Sequence, residues 1–542
     1  MKRVNISLRQ SVMTVALLAC ITASAYDFEV DGFYYDVLSM SDLTCAVTSG
    51  DNKYTGEVNI PEQVTCNKRT FSVTSIGDYA FMGCSNLTSV TIGNSVTSIG
   101  HDAFIGCSTL ASVTIPNSVT TIGNHSFTGC TSLETLIIED GSSVLDLGYN
   151  AYSSISTGEG LFCDCPLKSV YLGRNIIWTS REYGYSPFYN NTTLTSVTIG
   201  DSVTTIGSSA FSGCKGLTSV TIGDSVTTIG SNAFTLCEGL TGVTIPNSVT
   251  TIENYAFNGC SRLETLIIED GSSVLDLGYN AYSGINTGEG LFYDCPLKSV
   301  YLGRNIKNET SQQCGYSPFY NNTTLTSVTI GDSVTTIGAR AFSGCEGLTS
   351  VTISDSVTTI WSHAFSGCKG LTSLTIGNSV TSIENYAFEY CSSLTSVTIP
   401  NSVTTIGGGA FESCKGLTSV TIGNSVVSIG YWAFGGCKGL TSVTSLAKTP
   451  PCAYENTFPT AAYLNAMLYV PIGSLDSYRS ATCWKNFLME EKDVSGVEGV
   501  KADDNLVEKA RYSLDGKMLL APEKGVNIVK MSDGTTKKVV VK

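Results

Sequence analysis

Along most of the chain the apolar positions recur in one fixed register. The stretch LTSVTIGNSVTSIGHDAFIGCST, starting at Leu87, returns at Leu110 as LASVTIPNSVTTIGNHSFTGCTS, 23 residues on. The shared pattern is L-x-x-V-x-I-(P/G)-x-x-V-x-x-I-x-x-x-A-F-x-x-C-x-x. It starts again at Leu194, Leu217, Leu240, Leu263, Leu325, Leu348, Leu371, Leu394, Leu417 and Leu440, with variant units at Leu133, Leu167 and Leu297. That makes about fifteen coils of a repeat architecture. In L-x-x-V-x-I, Val and Ile alternate with a polar residue and share one face of a short strand. Pro or Gly ends the strand, and Asn-Ser or Asp-Ser turns the chain. V-x-x-I gives a second short strand, and A-F-x-x-C closes the coil as a tight turn or short helix. One coil cannot bury its Leu, Val, Ile, Phe and Cys alone, whereas stacked coils can. Parallel pairing at roughly 4.8 Å gives a solenoid on the order of 70 Å long.

Two places break the rhythm. Between Leu133 and Leu167 the unit LETLIIEDGSSVLDLGYNAYSSISTGEGLFCDC carries eleven extra residues, and the next unit, ending before Leu194, is longer by four. Nearly the same text recurs from Leu263 to Leu325, as a tandem duplication of about 130 residues would produce. Insertions in a solenoid map to loops on one face, often the binding face. These carry aromatics: Tyr149, Tyr152, Tyr183, Tyr185 and Tyr189 in the first, and Tyr279, Tyr282, Tyr316 and Tyr320 in the second. On the exposed side of the strand the usual Thr becomes Ile137 and Ile267. Apolar and aromatic groups left in water are what partners bind; the competing role for the Tyr rings is to pack the longer loops onto the solenoid. The candidate contact residues are therefore Ile137, Tyr149, Tyr152, Tyr183, Tyr185, Ile267, Tyr279, Tyr282 and Tyr316. The regular coils instead offer a Thr row, Thr91, Thr114, Thr198, Thr221, Thr244, Thr329, Thr352, Thr398 and Thr421, which is a solvated strand face.

Composition sharpens this picture through its cysteines. The chain has 20 Cys. Thirteen share one repeat slot: Cys84, Cys107, Cys130, Cys165, Cys214, Cys237, Cys260, Cys295, Cys345, Cys368, Cys391, Cys414 and Cys437. Asn191 and Asn322 take the same slot, and an interchangeable Asn fits a ladder of buried thiols better than obligatory bridges. A ladder also brings one ligand per coil, not the converging set a metal needs. Cys45 with Cys66, and Cys452 with Cys483, lie near the two ends, where each pair is either a disulfide or two thiols. Glu139, Asp140, Glu159 and Asp164 are spaced too widely for a Ca²⁺ site to be expected. No metal or cofactor is expected at all.

The formal charge is −15 with no basic stripe, which argues against nucleic acid and anionic lipid. His101, His125 and His363 lie in separate coils, and no phosphate loop, nucleophile elbow or zinc signature occurs, so an enzyme is not expected.

The ends read differently. Residues 1–25 have the form of a signal peptide: Lys2, Arg3 and Arg9, an apolar run from Val12 to Ala19, and Ala23-Ser24-Ala25 for cleavage. Leu17-Leu18-Ala19-Cys20 also has the outline of a lipobox, which would place a lipid on Cys20. Residues 26–75 form a β-rich cap with a hairpin turn at Asn67-Lys68, and 76–445 the solenoid. Residues 446–492 form the second cap, with a strand followed by a helix that carries Leu475, Tyr478, Trp484 and Phe487 on one face. Residues 493–542 are a linker and a small β module with turns at Asp515-Gly516 and Asp533-Gly534. No segment is long and apolar enough for a transmembrane helix, and a monomer is expected.

The units LTSVTIGNSVTSIG and LTSVTIPNSVTTIGGGAFESC resemble the BspA-like leucine-rich-repeat family of bacterial surface proteins across roughly residues 70–445. The fold this implies is a right-handed leucine-rich-repeat solenoid. It has a parallel sheet on one face and short strands, turns or short helices on the other. DFEVDGFYYDV and LYVPIGSLDSYRSATCWKNF resemble that family's caps. YSLDGK, PEKGVNIVK and KKVVVK resemble the C-terminal sorting modules of type IX secretion cargo. The resemblance implies a secreted or surface protein of a host-associated Gram-negative bacterium. It implies an adhesin for host matrix proteins such as fibronectin and fibrinogen, or for other cells. A glycan-binding surface protein and a passive surface component are the alternatives. Asp201-Ser202-Val203 and its repeats resemble the O-glycosylation signal of such bacteria, and are also ordinary turn chemistry.

Overall fold

A single regular unit shows why the sequence coils. In residues 110–132 the side chains of Leu110, Val113, Ile115, Val119, Ile122, Phe127 and Cys130 are all buried. Pro116 stops the strand Ser112–Ile115, and the N–H of Val119 closes the following turn on the Pro116 carbonyl at 3.1 Å. Thr121–Ile122 then gives a second strand of two residues. The segment around Phe127 is turns, without helix. In a computed structural model of the chain, residues 26–149, 161–162, 164–179, 186–277, 291–292, 295–307, 318–494, 508–513, 518–519, 525–531 and 536–541 are described.

Coils stack in strict register. Ser112, Val113, Thr114 and Ile115 pair in parallel with Thr135, Leu136, Ile137 and Ile138, and these pair with Ser169, Val170, Tyr171 and Leu172. Each side chain therefore lies on the side chain of the same repeat position in the next coil. About 16 turns at a 23-residue spacing form a parallel-sheet solenoid with little helix. The strand Gly56–Asn59 pairs in parallel with Leu87–Thr91, so the stack begins one turn before the repeat signature does. The second row runs through two-residue strands such as Ser98–Ile99 and Thr121–Ile122.

The phenylalanines form a continuous column from Phe81 to Phe458. Successive rings lie near parallel, with centroids 4.8 Å apart at Phe81–Phe104 and 5.7 Å at Phe257–Phe292, inside the range favoured by offset stacking. Beside it runs the thiol ladder. Every described cysteine is unbridged, the cap residues Cys45, Cys66, Cys452 and Cys483 included. From Cys107 onward each thiol of the ladder donates to the carbonyl of the Phe one coil earlier. Cys107 does so to Phe81 at 3.1 Å, Cys237 to Phe211 at 3.3 Å and Cys437 to Phe411 at 3.1 Å. A small donor on a buried slot satisfies a buried acceptor. Asn191 and Asn322 serve the same purpose with a longer reach, donating Nδ2 to the carbonyls of Cys165 and Cys295 at 3.0 and 2.8 Å.

The turn side has two left-handed positions per coil. The residue just before the Cys slot is usually Gly, as at Gly106, Gly129 and Gly213. The residue two before the Phe is almost never Gly. Tyr79, Asp102, His125, Ser209, Asn232, Tyr255, Arg340, His363, Tyr386 and Trp432 all hold φ between 54° and 59° there. Bulky residues avoid this region. Stacking holds them in it: the N–H of Tyr79 donates to the His101 carbonyl, that of Asp102 to Asn124 and that of His363 to Asn385.

The caps close the column. At the N-terminal end, hairpins turn at Asp31-Gly32 and at Asn67-Lys68, all four with positive φ as a two-residue I′ turn requires. The Tyr54 ring meets Phe81 at 4.6 Å, tilted by 41°. At the other end, Phe458 meets Trp484 and Phe487 edge-on. Leu475, Tyr478, Trp484 and Phe487 do pack inward, but not from one helical face. The helix Leu475–Ser480 ends at Ala481, Cys483 turns left-handed at φ 72°, and Trp484 starts a separate 3₁₀ turn. The tail holds strands Glu508–Ser513, Met518–Leu519, Gly525–Met531 and Thr536–Val541 in one antiparallel sheet.

Candidate binding surface

Both longer units leave the core intact. Phe162 and Cys165 fill the Phe and Cys slots after the eleven-residue insertion, and the strand pairing resumes across 34 residues, Thr135 to Ser169. The extra residues fall between the strand Leu145–Tyr149 and Leu161, and in the next coil between Ile176–Thr179 and Ser186. Both insertions thus open at the same edge, between the second strand and the Phe column.

A buried arginine ties this region together. Arg174, with no exposed surface, donates from Nη1 to the Asn117 carbonyl at 2.8 Å and to Ser143 Oγ at 3.0 Å, and from Nη2 to the Pro116 carbonyl at 2.8 Å. It spans three coils. Arg304 repeats the arrangement on Asn247, Ser273 and Pro246. Burial lowers both guanidinium pKa values, and Glu139 and Glu269 oppose that shift. Asn175 carries the ladder over the break in the second sheet, accepting from the N–H of Thr204 at 2.9 Å and donating to Thr204 Oγ1 at 2.8 Å.

On the strand face the registers align one row: Thr114, Ile137, Tyr171, Thr198 and Thr221. The second copy gives Thr244, Ile267, Tyr301, Thr329 and Thr352. Each insertion unit therefore sets an Ile-Tyr pair into the Thr row. Tyr171 and Tyr301, in SVYL where regular coils have SVTI, were not among the candidates; the substitution at a fixed register is the signal that identifies them. Each Tyr hydroxyl donates to a neighbouring carboxylate, Tyr171 to Asp140 at 2.7 Å and Tyr301 to Asp270 at 2.6 Å. That bond, with Asp140 charged, raises the Tyr171 pKa.

Ile137 is 36% exposed, as the repeat pattern predicts, but Ile267 is only 4% exposed. Exposure of both was the expectation, and for Ile267 the structure corrects it: the same row is covered in the second copy. Tyr152, Tyr183, Tyr185, Tyr279, Tyr282 and Tyr316 lie outside the described residues, as do residues 1–25 and Glu159. Tyr149 ends the strand Leu145–Tyr149, and its side chain is not described. Tyr189 and Tyr320 are half-buried. A shallow cleft of about 370 Å³ beside the first insertion is lined by Phe162, Asp164, Tyr189, Asn190 and Asn191, among others.

The turn side carries a second exposed feature. Tyr431, Trp432 and Tyr454 are exposed near the C-terminal cap, with the Tyr431 and Tyr454 rings stacked at 3.7 Å. Tyr390 and Trp361 are exposed two and three coils earlier, and His363 stacks on Tyr386 at 5.0 Å. Among the described residues, no group of three His, Cys, Asp or Glu is placed to hold a metal, and no helix is long and apolar enough to cross a membrane. Glu139 and Asp140 are engaged with Asn117 and Tyr171.

Comparison with known proteins adds the following. No curated protein matches the chain in sequence. A leucine-rich-repeat protein of Bacteroides ovatus is 26% identical, covering 86% of this chain and 100% of its own, with a TM-score of 0.39. A leucine-rich cell surface protein of Faecalibacterium prausnitzii is 28% identical, covering 77% of this chain and 94% of its own, with a TM-score of 0.30. The family described as the BspA type leucine-rich repeat region matches residues 62–177, 181–314 and 312–441 in six copies. With this much of its length matched, the chain belongs to the BspA-type leucine-rich-repeat family.

Proposed function

We propose that this chain is a non-enzymatic binding protein of the outer cell surface or the surrounding medium, an adhesin that contacts a host matrix protein or another surface protein. The observation that carries the reading is the exposed Ile137 beside Tyr171, set in a row that elsewhere is Thr. A long solenoid supplies a rigid platform, and an apolar-aromatic pair on it is the composition of an interface centre. The inserted Tyr149, Tyr152, Tyr183 and Tyr185, with Tyr279, Tyr282 and Tyr316 as their counterparts in the second copy, are further candidate contact residues of the same two longer units. The signal-peptide form of the sequence at residues 1–25 supports the export part of this reading.

The test uses the repeat's own alternative. Thr is what regular coils carry at both positions, so Ile137→Thr with Tyr171→Thr keeps the strand. Binding of the full chain to immobilised fibronectin and fibrinogen is expected to weaken by about tenfold in the double variant, the effect of losing roughly 1.4 kcal/mol of contact. An unmodified chain that binds neither protein would sink the adhesin reading. Binding unchanged in the variant would move the contact elsewhere.

A second reading, glycan binding, is favoured by the exposed aromatic group around Tyr431, Trp432 and Tyr454. Flat aromatic faces suit the C–H faces of sugar rings, and a glycan array with Trp432→Ala as control separates the two readings.

A further inference from the structure

The duplicated insertion units make an internal control. The rows Thr114-Ile137-Tyr171-Thr198 and Thr244-Ile267-Tyr301-Thr329 have the same residues in the same register. They differ in exposure. Ile137 is 36% exposed and Ile267 4%; Thr114 and Thr198 are exposed, while Thr244 and Thr329 are half-buried; Asp140 is exposed and Asp270 half-buried. Tyr301 is buried, whereas Tyr171 is only half-buried. The row residues are the same in both copies, so the difference lies in what covers the second row.

The tail module shows the matching half. In its central strand Gly525–Met531, Asn527 and Val529 point to one face, and both are 2% exposed, while Ile528 on the other face is half-buried. A small sheet standing alone leaves its faces wet. A buried amide at the middle of one face marks a contact surface, since an isolated sheet core would take an apolar residue there. Reach permits contact with the second row. From Tyr301 to Glu490 the stack steps eight times, seven of them between paired strands, at about 4.8 Å each, or about 38 Å. From Lys492 to Glu508 the chain can extend to about 58 Å, at up to roughly 3.6 Å per residue.

We infer that the C-terminal β module docks through its Asn527/Val529 face onto the Ile267/Tyr301 row, closing the second of two equivalent surface strips and leaving the Ile137/Tyr171 strip open. The contact is polar and apolar together. Ile267 and Val529 supply the apolar part. Thr329, Asp270 and Asn527 supply polar groups in reach of one another's faces. The inference stands whether or not the open strip binds a host protein.

Hydroxyl-radical footprinting of the full chain tests it with the two copies side by side. Lys-C digestion is needed, because the tryptic peptide SVYLGR is common to both copies, residues 169–174 and 299–304. Tyr301 and Ile267 are expected to label several-fold less than Tyr171 and Ile137. In Val529→Asp, they are expected to rise to the level of the first copy, whether the module is displaced or unfolded. Ile267→Glu disturbs the other partner at a position where the first copy tolerates exposure, and should free Tyr301 with the melting temperature of the solenoid unchanged. Equal labelling of the two copies in the full chain would overturn the docking. So would protection of Tyr301 that persists in Val529→Asp or in Ile267→Glu.

Discussion

At the scale of single residues, the ladder cysteines were legible as a buried slot, because thirteen of them share one register and Asn replaces them. The reason Cys suits the slot was not legible: the thiol serves a carbonyl one coil away, a contact that depends on the stacking geometry. This predicts chemical inertness. Among the described cysteines of the native, reduced chain, a thiol reagent should modify Cys452, which is exposed, and more slowly Cys66. The ladder should react only on unfolding, and early loss of ladder thiols would contradict the burial. Arg174 is the opposite case, since a lone Arg in a turn gives no sequence signal of burial. Arg174→Met strands three acceptors and should lower stability by about 3 kcal/mol, read by urea unfolding. A change within 0.5 kcal/mol, the usual range of a neutral surface substitution, would show that the clamp contributes little.

At the scale of the element, the coil was readable because its period, its turn residues and its apolar alternation agree. The second strand is two residues long, and the Phe segment is turns. Both follow from left-handed residues that interrupt regular geometry twice per coil. The helix predicted to present Leu475, Tyr478, Trp484 and Phe487 failed for a related reason. Spacing alone did not reveal that Cys483 turns the chain between Tyr478 and Trp484. The left-handed slot makes its own prediction. His125→Gly should be tolerated, while His125→Val should cost about 1–2 kcal/mol, because a β-branched residue resists positive φ. Thermal melting of the pair would show equal effects if the slot were unstrained.

At the scale of the whole molecule, each coil packs mainly against its neighbours, so small effects repeat and sum. Burial pushes the thiols of Cys214 and Cys345 up to about 12 from an ordinary value of 9.0, and raises those of Cys237 and Cys368 well above it. A group that is harder to ionise when folded contributes full stability below its unfolded pKa. That contribution is lost as pH climbs from the unfolded value towards the folded one. The melting temperature in reductant should therefore hold to about pH 8 and fall steadily above pH 9, with Tyr478, raised by burial to about 12, adding to the fall at higher pH. A flat profile from pH 8 to 11 would show that the ladder is wet. The overall architecture was legible from periodicity. The covering of Ile267 was not, because it arises between segments far apart in the chain.

One backbone position sets the coils apart. Two residues before the Phe of each regular coil, the conformation stays the same while the side chain runs through Tyr, Asp, His, Ser, Asn, Arg and Trp. Elsewhere a coil must match the coil beneath it, and mutation is checked by the fit. Here the side chain is turned outward on a frame already fixed by its neighbours. The row works as a label printed along one edge: two proteins built from the same coil can differ there in what they present, without renegotiating how they fold.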